Sequence, residues 1–464
     1  MKQKSVINNG SLYLFGNLFN KAIAFITVPV FTRILTAEEY GIVNTYTSWV
    51  ALMAVIVGLS LGNSIRNAFV DMNKELGNYI SSIFTLAGIN FSVICIIYAC
   101  ISRFIELPKI LVWLCFVESF SNFIINALIM KYVMEEEAIK RTMLLVLPNL
   151  IGAILSVILI QLLPGDKYYG RIIATCFISS IFGIGIMAFY IARYRTLVNK
   201  KFWTYALPIS LPLIFHGVSC NVLGTSDRSV ITYYCGAIET GIYSLIYNLS
   251  MVSNVLTSSA ESVWIPRLTR ALAHDDYEEA NKDIYIYIYT VLFAFCGLLT
   301  IAPELVILLG GERYLSGLNL VFPIVASSFM MFIYGIYVNI EFFYKKTGMI
   351  AIATFVAAST NLLLNFIFVP KFGAVAAAYT TLVSYTISFI LHSINAHRIN
   401  DKVTPYKMLV PPLIVLLISG VITILTAKDI VIRWSIMIIL GIVYIVICWF
   451  FIFKKILRSG KAVG

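Results

Sequence analysis

Apolar residues run along this chain in long blocks separated by short polar punctuation. Fourteen blocks are separable, at about 10–35, 41–65, 79–102, 110–133, 142–163, 171–192, 204–235, 240–265, 284–310, 318–344, 348–369, 373–396, 408–427 and 432–453. Each is long enough for a helix through the hydrocarbon core of a bilayer, which takes roughly 20 residues. Tight links at 36–40, 236–240 and 370–372 join successive blocks into hairpins. The longest polar stretch, 267–283 with HDDYEEA, is too short for a soluble domain and reads as a solvated connector. The pattern therefore predicts an all-α polytopic membrane protein of about 14 transmembrane helices.

A repeat lies beneath this pattern. FTRILTAEEYGIV (31–43) and ITYYCGAIETGIY (231–243) share Thr32/Thr232, Ala37/Ala237, Glu39/Glu239, Gly41/Gly241 and Ile42/Ile242, all at an offset of 200. Both copies end one helix and open the next. The expected organisation is two six-helix lobes in parallel topology, 1–200 and 201–400. Residues 401–464 add two more transmembrane helices and a basic cytoplasmic tail. Parallel repeats of this kind are a recurring transporter plan, with the binding site between the halves near mid-membrane.

Composition agrees and excludes alternatives. The chain is 60% hydrophobic and 12% charged, with a mean hydropathy of +0.89, whereas soluble domains run near half apolar and a quarter charged. The formal charge of +11 would suggest nucleic acid in a soluble protein. Here basic loop residues set topology instead, and no nucleic-acid partner is expected. With the N-terminus inside, 23 of the 34 Lys and Arg fall on the inner side and 8 on the outer, while Lys21, Arg33 and Arg228 lie within or at the ends of helices. That bias predicts both termini in the cytoplasm. MKQKSVINNG has no small-residue cleavage site, so the first helix is expected to stay. The eight cysteines form no CxxC pair or metal spacing and read as small buried hydrophobes.

Candidate chemistry is confined to polar groups inside the apolar blocks. There is no GxSxG, HExxH, P-loop or GxGxxG, so the chain does not read as an enzyme. The stretch 216–241, HGVSCNVLGTSDRSVITYYCGAIETG, places Asp227 beside Arg228 at membrane depth. A charge there costs a few kcal/mol even on mild scales and commonly marks a pathway. In the first block Asn17 and Lys21 share a face, one turn apart. Arg66 follows Gly58 and Gly62, which permit close packing. Glu118 with Ser119, Ser121 and Asn122 makes one side of the fourth helix polar, and Asn221 and Glu261 lie in the seventh and eighth blocks. Arg33, Arg66, Glu261 and Glu341 sit near block ends, where snorkelling or structural pairing explains a charge. The tyrosines 285, 287 and 289 suit an aromatic belt. A cavity formed by Lys21, Arg66, Arg228, Asn17 and Asn221 would suit an anionic amphipathic cargo. Asp227, Glu118 and Glu261 are the candidates for ion coupling or charge pairing. No metal or cofactor is expected beyond a coupling H+ or Na+.

These residues resemble the Wzx-type polysaccharide flippases of the MOP superfamily, relatives of the MATE exporters. The resemblance covers nearly the whole chain. It rests on Phe31-Thr32-Arg33-Ile34-Leu35 followed by Glu39-Tyr40-Gly41, and on Leu61-Gly62 leading to Arg66. Asp227-Arg228 then precedes Gly241-Ile242-Tyr243-Ser244 and Trp264-Ile265-Pro266, and NLLLNFIFVPKFGAVAAAYTTLVSY spans 361–385. It implies flipping of an undecaprenyl-diphosphate-linked oligosaccharide repeat unit, for O-antigen, capsule or exopolysaccharide, across the bacterial cytoplasmic membrane. It implies alternating access driven by an ion gradient, and a polysaccharide polymerase with its chain-length machinery as partners. Lys21, Arg66 and Arg228 would attract the diphosphate or acidic sugars, with Asp227 holding Arg228 or taking part in coupling. The first helix lacks the acidic residue of many cation-coupled MATE exporters. Lipid II flippases remain the alternative, although they place several arginines in the N-terminal cavity. A membrane glycosyltransferase or polymerase would need large outer loops, and none here exceeds about ten residues.

Overall fold

The computed structural model describes residues 2–104, 106–404, 406–426 and 429–448. The basic tail with Lys454, Lys455, Arg458 and Lys461, and the end of the last apolar block, lie outside the described residues. So do the side chains of Lys2, Lys4 and Lys428.

Fifteen α-helices account for the described fold, with no strand among them. They are α1 (Lys2–Ile34), α2 (Ala37–Val57), α3 (Ile65–Asp71), α4 (Leu76–Ile101), α5 (Lys109–Met134), α6 (Ala138–Leu162), α7 (Tyr168–Tyr194), α8 (Lys200–Cys235), α9 (Ala237–Tyr247), α10 (Leu249–Ala273), α11 (Tyr277–Gly310), α12 (Leu318–Phe343), α13 (Thr347–Ile399), α14 (Val410–Leu425) and α15 (Ile430–Cys448). Among the described residues, 11 helices are long and apolar enough to cross a membrane. The 53-residue α13 is two helices joined at Gly373, whose φ of 65° only glycine adopts freely. With α13 divided there, and with the more polar α10 and the short α15, every one of the fourteen apolar blocks has its helix. The chain is a multi-pass α-helical membrane protein.

Boundaries moved where local chemistry overrode hydropathy. The block expected at 41–65 ends as a helix at Val57, because Leu59 and Ser60 take left-handed conformations (φ 49° and 52°). Asn90 then donates to the freed carbonyls of Ile56 and Val57 at 3.0 and 2.9 Å. The solvated stretch 267–283 is mostly helical: α10 runs to Ala273 and α11 begins at Tyr277. The Asp276 carboxylate accepts from the Glu279 amide at 2.9 Å, and Glu278 and Glu279 fill the first turn of α11, where negative charge suits the helix dipole. Tyr287 is likewise no belt residue. A helical period sets it opposite the stacked Tyr285–Tyr289 pair, and it is buried flat against Trp264 at 4.6 Å. Cys115 and Cys176 are buried as expected, but Cys100 and Cys220 are exposed.

The helices form two compact units: Met1–Ser244 with Leu362–Gly373, and Leu245–Asn361 with Ala374–Gly464. The core of the first gathers Leu61, Ile65, Tyr79, Ile83, Phe84, Phe123 and Ile124 from α3 to α5 and the short turn before them. Small residues let backbones meet there, as is usual for helices packed in lipid. A Cβ on Gly58 would strike the Phe123 ring, one on Gly62 would come within 3.3 Å of Ala127 Cα, and one on Gly183 would meet the Ser121 backbone. The second unit holds a ring cluster in which Tyr287 meets Phe332 and Phe295 meets Phe329 edge to face, with Phe329 tilted against Phe332.

The repeat has a physical consequence inside the first unit. A Cβ on Gly41 would run into the carbonyl oxygen of Ala237, and a Cβ on Gly241 into that of Ala37. Residues related by the offset of 200 thus contact each other reciprocally, as the equivalent surfaces of a two-fold pair do. Thr232 bridges the contact, 2.7 Å from both Thr45 Oγ1 and Thr240 Oγ1. The copies are not identical in their caps. Thr36 and Glu39 make a full capping box for α2, whereas Gly236, at φ 89°, opens α9.

Candidate functional site

Two helices of the first unit carry polar side chains at a spacing of four, and these stripes meet polar groups of two further helices around one cavity. On α5 the stripe is Glu118, Asn122 and Asn126; on α7 it is Arg171, Thr175 and Ser179. Residues four apart share a helix face, so each stripe presents three polar groups in a row. Tyr46 and Thr47 of α2 and Arg141 and Asn149 of α6 complete the polar wall. The cavity, which is open on one side, has a volume of about 790 Å³, within the range typical of small-molecule sites. Apolar residues such as Val43, Val50, Phe123 and Ile172 fill the rest of the wall.

The polar groups are fixed by one another. Tyr46 donates to Glu118 Oε2 at 2.8 Å, and Thr175 donates to the same oxygen at 3.4 Å. Arg171 donates to Ser156 at 3.0 Å and lies 4.0 Å over the Phe31 ring. That contact combines a hydrogen bond with a cation–π attraction and leaves other donors of its five-donor fork for the cavity. At the other end of α6, Arg141 donates to Asn17 at 2.6 Å and Asn149 to Asn20 at 2.9 Å. Pro148 sits within α6 beside Asn149, and having no N–H it releases the Leu144 carbonyl from the helix ladder. Two guanidinium groups and one carboxylate thus line this cavity, beside a set of amides and hydroxyls.

The residues expected from the sequence fall in several places. Glu118 lines the cavity. Asn17 joins it through Arg141, and Arg66, exposed on α3, has Nη2 3.9 Å from Sδ of Met130, itself a lining residue. Lys21 is half-buried on α1, and Asn221 returns its amide to the Gly217 carbonyl of its own helix at 2.9 Å. Arg228 is half-buried on α8 beside the buried Asp227. Asp227 accepts from Tyr243 at 2.5 Å and from Asn365 at 2.7 Å, tying α8 to α9 and to the 362–373 segment. Glu261, in the second unit, brings Oε1 to 3.9 Å from where a Cβ on Gly335 would stand.

Arg141, Arg171, Asn126, Asn149, Thr175 and Ser179 were not among the expected site residues. Asn126 continues the four-residue spacing of Glu118 and Asn122, so that signal was legible. Arg141 and Arg171 stand near the ends of apolar blocks, where each counts as a topology charge in any sum of loop residues.

Comparison with known proteins places these features in context. Residues 6–272 match the family described as polysaccharide biosynthesis protein. The capsular polysaccharide biosynthesis protein CapF of Staphylococcus aureus is 22% identical over 405 residues, covering 83% of this chain and 98% of its own. Among solved structures, the lipid II flippase MurJ in an inward closed conformation superposes with a TM-score of 0.58 at 16% identity, covering 94% of this chain and 98% of that one. A multidrug resistance MATE family transporter of the MOP superfamily, inward-facing, superposes with a TM-score of 0.55 at 14% identity, covering 83% and 95%. At such identities the two structures speak to the fold alone, and that fold is the one the helix pattern and the repeat led to.

Proposed function

The chain belongs to the polysaccharide biosynthesis protein family, and on that premise we propose that it carries a lipid-linked glycan across the membrane it spans. The cargo we assign is an undecaprenyl-diphosphate-linked oligosaccharide repeat unit. It moves from the inner to the outer leaflet of the bacterial cytoplasmic membrane, and both termini lie in the cytoplasm. The observation that supports this most is the cavity of about 790 Å³ with Arg141 and Arg171 set among asparagine and hydroxyl stripes.

The physical problem of such a cargo is its headgroup. The prenyl chain is at home in hydrocarbon, but a diphosphate and its sugars lose their hydration there at a cost of many kcal/mol. A guanidinium meets a phosphate through two parallel N–H···O bonds, and side-chain amides and hydroxyls replace water around the sugars. Arg171 and Arg141 would take the anionic oxygens in turn, and Glu118 would keep the unloaded cavity from holding two uncompensated cations. Lys21, Arg66 and Arg228 add positive charge along the headgroup's path. No covalent bond changes in this process, so the protein acts as a carrier, by alternating access coupled to an ion gradient. A polymerase with its chain-length machinery would receive the product.

The test is reconstitution of the purified chain into proteoliposomes with fluorescent lipid-linked oligosaccharide, read by access of an external glycosidase. The wild type should move the glycan between leaflets, and Arg141→Ala/Arg171→Ala should not. Running lipid II beside it decides the cargo. Movement of neither lipid by the wild type would overturn the reading.

A further inference from the structure

The second unit holds a buried ion-pair cluster for which the cavity of the first has no use. On α12, Glu341 is fully buried; on α13, His392 is 1% exposed, and its Nδ1 lies 2.7 Å from Glu341 Oε2. Asn395, one turn further along α13, donates to Glu341 Oε1 at 2.6 Å. The half-buried Tyr334 stacks on the imidazole with ring centres 5.5 Å apart, and Tyr385 stacks on the far side of Tyr334 at 6.1 Å. We propose that Glu341 and His392 form a proton-binding site whose loading and unloading couples a proton gradient to transport. This rests on the carrier reading above.

Three features carry it. First, the hydrogen bond at 2.7 Å already holds one proton between the two groups. Each further proton that the pair takes from or returns to water changes its charge by one unit. A change of one unit of charge at a fully buried place is a strong electrostatic lever, because nearby water does not screen it. Second, both carboxylate oxygens face nitrogen donors, which suits a proton and not a hard cation, since hard cations call for a shell of oxygens. Among the described residues no group of three or more His, Cys, Asp or Glu stands ready for a metal ion either. Third, Glu341 and His392 are buried while the Tyr334 ring stacked on His392 is half-exposed, which places the imidazole one ring away from the surface.

Titratable groups surround the pair on several helices. Glu261 approaches from α10 at Gly335, and Tyr287 of α11 packs on Phe332. Tyr337 and His397 are ring neighbours on the α12 and α13 faces, and Tyr406 stacks on His397. α14 has no titratable residue, while Lys345 and Lys346 follow Glu341 at the end of α12, the Lys346 amide donating to the Glu341 carbonyl at 2.9 Å, and Arg398 lies in the last turn of α13.

The experiment has two arms. Infrared difference spectroscopy of the purified protein between acid and alkaline pH needs no cargo. The wild type should show a carboxyl band that Glu341→Gln removes and His392→Gln shifts. In proteoliposomes, an imposed proton gradient should accelerate glycan movement by the wild type, whereas Glu341→Gln should move it at one rate with or without the gradient. Glutamine keeps the size and the hydrogen bond to Asn395, and gel filtration confirms that the variant is folded. Identical spectra for wild type and Glu341→Gln, or retained gradient dependence in that variant, would overturn the proposal. If the wild type moves no glycan at all, the carrier reading fails and the spectra alone still decide proton binding.

Discussion

Two carboxylates of the first unit are built alike and sit in opposite circumstances. Glu118 on α5 and Asp227 on α8 are both buried, and each accepts a tyrosine hydroxyl and a second donor from another helix. At Asp227 the donors divide between the two oxygens, Tyr243 to Oδ2 and Asn365 to Oδ1, and the residue is 2% exposed. At Glu118 both donors fall on Oε2, and the residue borders a cavity that it shares with Arg171. Local chemistry therefore does not separate a structural acid from a functional one. What separates them is whether the remaining capacity of the group faces protein or space. On that criterion Asp227 is a tie between three chain segments, and Glu118 belongs to a site.

The widest gap between the two regions should appear when their cations and acids are removed in turn. Arg141→Ala/Arg171→Ala removes both positive groups of the cavity. Hydrogen bonds to charged groups contribute about 1.5–3 kcal/mol each, so headgroup transfer should fall by at least about a hundredfold, since 1.4 kcal/mol is tenfold. Folded yield should stay near that of the wild type. Transport by vesicle assay and yield by gel filtration give the two readings, and unimpaired transport would remove the arginines from the site.

Asp227→Ala should do the reverse. It removes the buried acceptor of the Tyr243 hydroxyl and the Asn365 amide, two hydrogen bonds to a charged group at about 1.5–3 kcal/mol each. Thermal unfolding in detergent should show a clear loss of stability, and Asp227→Asn, which still accepts from Tyr243, should lose less. A variant that unfolds like the wild type yet fails to transport would return Asp227 to the functional set.

Gly41→Leu tests the backbone contact on which the same unit is assembled. The side chain would meet the Ala237 carbonyl, and backbone gives way less readily than a side chain. The cost should reach the upper part of the usual 1–3 kcal/mol for overpacking. Gly241→Leu, its partner at the offset of 200, should cost about as much. Unequal costs in the two unfolding curves would mean that the reciprocal contact is not shared equally.

The same division explains what could be read from the chain beforehand. Spans were legible because hydrocarbon demands long apolar runs, and the repeat was legible because Gly41 and Gly241 are each required by the other's neighbour. Glu118 stood out as a lone acid in an apolar helix. Arg141 and Arg171 did not, because a basic residue near a helix end satisfies topology, snorkelling and ligand binding equally well. Only the packing of α5, α6 and α7 around one space tells these apart. The Glu341–His392 pair was hidden for a related reason. Fifty-one positions separate its members; Glu341 alone looked like a charge near a block end, and His392 gave no signal of its own.

The smallest expected effect is the most exact test of the comparison, because it removes the same atom from both regions. Tyr46→Phe and Tyr243→Phe each delete one phenolic oxygen from a carboxylate and leave the ring in place. Asp227 is 2% exposed, so water has little access to the oxygen that loses the Tyr243 hydroxyl. Stability should fall by about 1 kcal/mol, the ordinary net worth of a hydrogen bond, or somewhat more because the acceptor is charged. At Glu118 the cavity admits water, which satisfies an acceptor nearly as well as a side chain does. The unfolding curve should hardly move there, while transport drops by a few fold as the carboxylate loses its fixed orientation beside Arg171. Equal losses of stability in the two variants would show that Glu118 is as closed as Asp227, and the distinction between them would fail.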